Sequence, residues 1–189
     1  MSCFLLYLGA PRKCLQLSNH TIILGPRYKS LVQEIIDRKI LLDDFSMYLR
    51  APSRIEPAMA PPECESINVL VPMPNLASGM DRALATDLMT DRVISAIEKW
   101  GLEDLRTSIE IQHIFTLIDF ESQFNSTLRN AFGIEPKITQ TAWIRLHNRS
   151  EDVQGLNLVG AGTHLGARVS GVIPSASATM HATREDYEL

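Results

Sequence analysis

The chain has 189 residues, 45% of them hydrophobic and 21% charged, with a formal net charge of -4. That is one domain's length with enough apolar material for a sizeable core, and with no block of Lys or Arg it excludes a surface built to neutralise nucleic-acid phosphates. Cys3, Cys14 and Cys64 form neither an even set nor a Cys-x-x-Cys pair, which speaks against a disulfide framework or a zinc site and for a reducing cytosol.

Residues 2–8 are aliphatic and aromatic and stop at Gly9-Ala10-Pro11, which predicts a largely buried strand ended by a turn. No basic leader precedes it, and the longest apolar runs, 3–8 and 67–71, fall far short of the ~20 residues of a spanning helix. The reading is of a protein that does not cross a membrane and whose chain opens inside a sheet, with something upstream missing. Residues 20–24 form a second strand closed by Gly25-Pro26, and Leu31, Val32, Ile35 and Ile36 recur at the spacing of a helix over 28–37. Residues 45–49 are a third strand. Pro52, Pro57, Pro61 and Pro62 then exclude regular structure, leaving an exposed connection.

Residues 67–71 are a β-branched run cut off by Pro72 and Pro74, while Leu84, Leu88, Ile94 and Ile97 mark an amphipathic helix that stops near Trp100-Gly101. Ile109, Ile111 and Phe115 alternate with Glu110 and Gln112, the period of a half-buried strand. The last unit is a buried strand at 156–159, a glycine-rich turn and a small-residue helix to about Ala182.

In that unit, Leu156-Asn157-Leu158-Val159-Gly160-Ala161-Gly162-Thr163-His164 sets a strand directly before closely spaced glycines, and Gly166-Ala167 opens the helix. Glycines let backbone approach a ligand without Cβ clashes, and free N–H groups at a helix start favour negative charge, so the turn suits a phosphate or a flavin. A tight turn with no ligand would use the same residues. A self-contained dinucleotide fold needs an acidic residue on a second strand ~20 residues after the glycines. The sequence ends at Leu189, so the turn reads as the closing strand and helix of a two-part domain opened elsewhere.

Gly160-Ala161-Gly162-Thr163-His164-Leu165-Gly166-Ala167-Arg168-Val169-Ser170-Gly171-Val172 resembles the C-terminal flavin motif of the bacterial phytoene desaturases, members of the flavin amine oxidase-like group. Phe4-Leu5-Leu6-Tyr7-Leu8-Gly9, His20-Thr21-Ile22-Ile23-Leu24-Gly25-Pro26-Arg27-Tyr28 and Gln140-Thr141-Ala142-Trp143-Ile144-Arg145-Leu146-His147-Asn148-Arg149 resemble further signatures of that family, in order, over nearly the whole chain. The resemblance implies an α+β and α/β fold. Residues 1–147 would be a partial substrate-binding domain with a mixed sheet and helices. Residues 148–189 would supply the closing strand and helix of a Rossmann-like FAD domain whose N-terminal half is absent.

The resemblance further implies FAD, held by Gly160, Ala161, Gly162, Thr163, His164, Gly166, Ala167, Val169, Gly171 and Val172. It implies a polyene substrate, phytoene, desaturated toward neurosporene or lycopene in carotenoid biosynthesis, with one flavin reduction per step. The helix start around Gly171-Val172 would face the isoalloxazine and stabilise charge on the reduced flavin. Its partners would be the missing half of the FAD domain and a membrane surface, because phytoene dissolves in lipid, and its place would be cytoplasmic and peripheral. The family usually has Pro, Gly and Pro where Leu165, Arg168 and Ser170 stand. Arg168 either intrudes where backbone and cofactor nearly touch or pairs with the pyrophosphate. A non-catalytic remnant that binds no flavin alone, and a related flavin oxidoreductase acting on another carotenoid, are the alternative readings.

The remaining polar residues read as ordinary. His20, His113, His147, His164 and His181 lack metal-ligand spacing, so no metal is expected. Asp43-Asp44 and Glu151-Asp152 read as solvated surface, and Ser175 and Ser177, without a nucleophile elbow, as helix packing. Trp143 either lines an apolar channel for the polyene or fills a core. No catalytic residue is assigned.

Overall fold

A continuous apolar run, Cys3 to Leu8, turns the start of the chain into the middle of a sheet. In the computed structural model, which describes residues 1–38, 44, 46–75, 83–133 and 137–187, the first element is strand β1 (Ser2–Ala10). It is flanked by β4 (Glu65–Met73) and β5 (Ile111–Phe115), and β3 (Met47–Arg50) and β2 (His20–Ile23) extend the sheet beyond β4, giving the order β2-β3-β4-β1-β5. All four pairings are antiparallel, where a mixed sheet was expected.

The chain divides into two units, Met1–Ala131 and Phe132–Leu189. In the first, Phe4, Leu6 and Leu8 of β1 and Ile67, Val69 and Val71 of β4 share one sheet face and one core cluster with Met89, Val93, Ile94 and Ile97 of α2 (Ala83–Trp100). Leu102 and Leu105, the latter opening α3 (Leu105–Ser108), complete it. Each such side chain contributes about 1.5–3 kcal/mol by leaving water. Glu65 also points inward from β4 and is fully buried; it accepts from the Cys14 N–H (3.2 Å) and the Ser53 hydroxyl and pairs with Arg54 (3.1 Å), which is what a buried carboxylate requires. Gly101, at φ +134°, ends α2, and the Leu102 N–H closes back on the Ile97 carbonyl (3.2 Å).

Several expectations shift for physical reasons. Pro72 does not stop β4: it pairs with Cys3 of β1, whereas among the described residues β3 pairs only with Asn68, Val69 and Leu70, so no ladder bond from β3 is asked of the proline there. The helix expected over 28–37 is α1 (Tyr28–Gln33) followed by a wider π turn, Glu34–Arg38. The strand expected at 45–49 begins at Met47, and Phe45 lies outside the described residues, as do Asp43 and the side chain of Leu84. Leu88 is half exposed, its expected place on the buried stripe of α2 taken by Met89 and Val93. In β5 the core side is that of Ile114, opposite Leu6, and Ile111 is 68% exposed. Phe115, one step from Ile114, instead meets Phe120 of α4 (Leu117–Phe124) edge-on at 4.9 Å.

The second unit consists of short turns and one long helix, α5 (Val169–Tyr187). The strand expected at 156–159 is not formed: Asn157 makes a single antiparallel bridge to Arg149, and Leu156 and Val159 are exposed. A strand exists through its ladder, and the described part of this unit offers no sheet to complete one. Among its described residues the buried ones are Arg145, Asn148, Thr163, Gly171 and Ser175, none of them a large apolar side chain. No helix among the described residues is long and apolar enough to cross a membrane.

Candidate cofactor turn

The glycine-rich segment is fastened to α5 by one polar face of that helix. Ser175, Thr179 and Thr183 recur every fourth residue and so line up along it. The Ser175 hydroxyl accepts from the Gly160 N–H (3.1 Å) and from Asn148 Nδ2 (3.0 Å) and lies 2.6 Å from Thr163 Oγ1. Thr179 donates to the Leu158 carbonyl (2.7 Å), which also accepts from Asn148 Nδ2 (3.1 Å), and Asn157 Nδ2 donates to Thr183 (3.2 Å). Further along, Arg149 pairs with Glu185 (3.0 Å) and Asp186 (2.9 Å) of α5. The sequence reading treated Ser175 as packing and passed over Asn148, Thr179 and Arg145; the four-residue spacing of hydroxyls was the available signal.

Within the turn, the backbone does what the glycines permit. Gly160 and Gly166 take φ of +117° and +88°, and the Thr163 N–H and hydroxyl both return to the Gly160 carbonyl (3.2 and 2.8 Å). A Cβ added at Gly160 or Gly162 would meet no atom within 4 Å, so the backbone there is open to a flat or anionic group. At Gly171 the reverse holds: a Cβ would lie 2.5 Å from the Gly166 carbonyl oxygen and 2.9 Å from that of Leu165, so helix and turn touch directly. The helix begins at Val169, three residues later than Gly166; Arg168, in the left-handed region at φ +71°, caps it by accepting from the N–H groups of Gly171 (3.0 Å) and Val172 (2.9 Å).

Residues 143–148 run alongside the turn. Leu146 and Thr163 form a parallel bridge, and Arg145 Nη1 donates to the Ala161 carbonyl at 2.6 Å. Trp143 is 72% exposed in this chain; its ring meets His164 edge-on at 5.2 Å and lies 4.7 Å from His147. His147 joins Glu151 through Nδ1 (2.7 Å) and the Trp143 carbonyl through Nε2 (3.0 Å). Elsewhere, Asp44 forms an ion pair with Arg27, whose hydrogen bond and charge hold the carboxyl below its ordinary range. Among the described residues no group of three or more His, Cys, Asp or Glu is placed to hold a metal ion. Val169 and Ile173 stand exposed beside Arg168, Ser170 and Pro174 in a shallow open groove at the start of α5.

No family model matches the chain. It is 44% identical over 188 residues, 99% of its length and 38% of the relative's, to a phytoene desaturase (lycopene-forming) of Pseudescherichia vulneris. It is 39% identical over 169 residues to a neurosporene-forming phytoene desaturase of Rhodobacter capsulatus, covering 88% of the chain and 32% of that protein. To a 4,4'-diapophytoene desaturase (4,4'-diaponeurosporene-forming) of Staphylococcus haemolyticus it is 33% identical over 192 residues, again 99% of the chain and 38% of the relative. The chain belongs with the carotenoid desaturases and corresponds to a C-terminal part of one, spanning well under half the length of the relatives it matches.

Proposed function

We propose that the chain supplies the C-terminal part of an FAD-dependent enzyme that desaturates phytoene toward neurosporene or lycopene in carotenoid biosynthesis. The observation that carries this reading is the similarity along 99% of the chain to desaturases of that substrate. Phytoene is favoured over its diapo relative because the phytoene desaturases are 39–44% identical to the chain, against 31–35% for the diapophytoene enzymes. The sheet of the first unit would serve the substrate domain, with the membrane surface as the source of an oil-soluble polyene.

The residues from Gly160 to Val172 would hold FAD, and the openness of the backbone at Gly160 and Gly162 supports that assignment. Bound flavin would take up the hydrogens removed at each desaturation. This chain's own contribution is to orient the cofactor with backbone N–H groups and to favour negative charge at the N-terminal end of α5. The rest of the FAD domain would come from the portion of the desaturase that the chain does not span. Exposure of Val169 and Ile173 fits a surface covered by that portion.

The test is a chimera in which this chain replaces the matching C-terminal part of the Pseudescherichia vulneris desaturase, expressed in phytoene-accumulating cells. Coloured polyenes, resolved by chromatography, are the expected result. A folded, yellow chimera that leaves phytoene untouched would sink the substrate assignment. A second reading, a remnant that binds no flavin, is favoured by one observation, the left-handed Arg168 at a position where the resemblance to the family implies glycine; it requires the same chimera to purify colourless.

A further inference from the structure

The guanidinium of Arg145 lies beneath the glycine turn. Arg145 is 8% exposed, the longest side chain among the buried polar residues of the second unit. Its Nη1 donates to the Ala161 carbonyl at 2.6 Å, and the same atom sits 3.9 Å from where a Cβ at Gly166 would be. One cationic group thus touches one end of the turn and reaches the other. The strand-like bridge of Leu146 to Thr163 and the bond from Asn148 Nδ2 to the Leu158 carbonyl (3.1 Å) hold the two segments in register on either side of it.

Planarity of the peptide bond gives this contact a consequence. In a trans peptide the C=O of one residue and the N–H of the next point in opposite directions. With the Ala161 carbonyl drawn toward the guanidinium, the Gly162 N–H is aimed away from it. Gly162 is the residue whose missing side chain leaves open space, and among the described residues its N–H makes no hydrogen bond to protein. A hydrogen bond from a charged donor is stronger than a neutral one, so the peptide plane is held rather than free to flip.

Resting on the flavin reading above, we propose that Arg145 is a positioning residue: by anchoring the Ala161 carbonyl it presents the Gly162 N–H to an anionic or carbonyl oxygen of the bound FAD. Arg145 itself does not touch the cofactor. It acts through the peptide it orients.

The experiment uses the full-length chimera and titrates FAD by flavin fluorescence quenching, with the urea midpoint of the FAD-free protein measured alongside. Arg145→Met is compared with Arg149→Met, which removes an exposed arginine tie to the far end of α5 and leaves the turn alone. Arg145→Met is expected to weaken FAD binding about tenfold or more while Arg149→Met leaves it unchanged. Arg145→Lys, which keeps the cation but not the planar fork, is expected to lie between Arg145→Met and the unaltered protein. Unaltered affinity in Arg145→Met, or an equal loss in Arg149→Met, overturns the proposal. Should Arg145→Met fail to fold, Arg145→Lys decides, and full affinity there overturns it. If the unsubstituted chimera itself takes up no FAD, the flavin reading fails first and the role of Arg145 falls with it.

Discussion

An alanine at Gly171 would put its Cβ 2.5 Å from the Gly166 carbonyl oxygen, a distance no real contact tolerates, and the neighbour is backbone with little room to move. Gly171→Ala should therefore destabilise the protein by about 1–3 kcal/mol with no flavin present, read as a lowered urea midpoint. The expected role of this glycine toward the isoalloxazine must be separated from that packing, so flavin loss alone on changing it is no measure of charge stabilisation. Arg168 makes the opposite prediction. A non-glycine residue at φ +71° carries a strain that glycine lacks, and only its carbonyl is used to cap α5. Arg168→Gly should raise the thermal midpoint, a gain of up to about 1 kcal/mol. Cys3, buried in β1, has its thiol pushed up to about 12 by burial, from an ordinary 9.0. Because the folded value lies above the unfolded one, the neutral thiol contributes full stability below pH 9, and that contribution is lost as pH rises toward 12. Burial raises Cys14 and Tyr7 in the same direction. Unfolding free energy measured in urea should fall from pH 8.5 to pH 11, and Cys3→Ala should flatten that slope.

At the scale of elements, α4 shows how local chemistry starts a helix. The Thr116 side chain accepts from the Ile118 N–H (3.2 Å), while the Asp119 carboxylate accepts from the Thr116 N–H (2.6 Å) and hydroxyl (2.8 Å). Thr116→Ala removes the capping oxygen and should cost about 1 kcal/mol, seen in the denaturation midpoint. Neither α4 nor its cap is among the elements expected from the sequence, whereas β1, β2 and β4 are legible as short apolar runs and α2 from its helical period, with β4 expected to stop at Pro72. Proline forbids a hydrogen bond, but whether a neighbour strand asks for one at that position depends on where β3 ends. Likewise the period of two in β5 was visible while the choice of buried face was not, because Ile111 and Ile114 are equally apolar and Leu6 selects between them.

Over the whole molecule, the two units differ in what holds them. Among the described residues the core cluster draws on the first unit alone, from Phe4 to Leu105, while the buried residues of the second are polar or glycine. Hydrogen bonds contribute about 1 kcal/mol each net and do not replace apolar burial. Residues 1–131 expressed alone are expected to melt cooperatively with a β-rich circular dichroism spectrum. Residues 132–189 alone are expected to show no cooperative transition. A sharp transition in the latter would mean that the polar network around Asn148 and Ser175 suffices.

By itself the sequence determined which stretches were strand or helix where an apolar run met a turn signal or kept a helical period, where the glycines cluster, and the kinship with carotenoid desaturases, since motif order is a property of the chain. Only the tertiary structure decided that the sheet is antiparallel, that residues 156–159 form no strand, that Ser175 and Asn148 clasp the turn and that Arg145 lies beneath it. These rest on partners far apart in sequence, and a hydrogen bond or a ladder exists only when both of its halves are brought to one place.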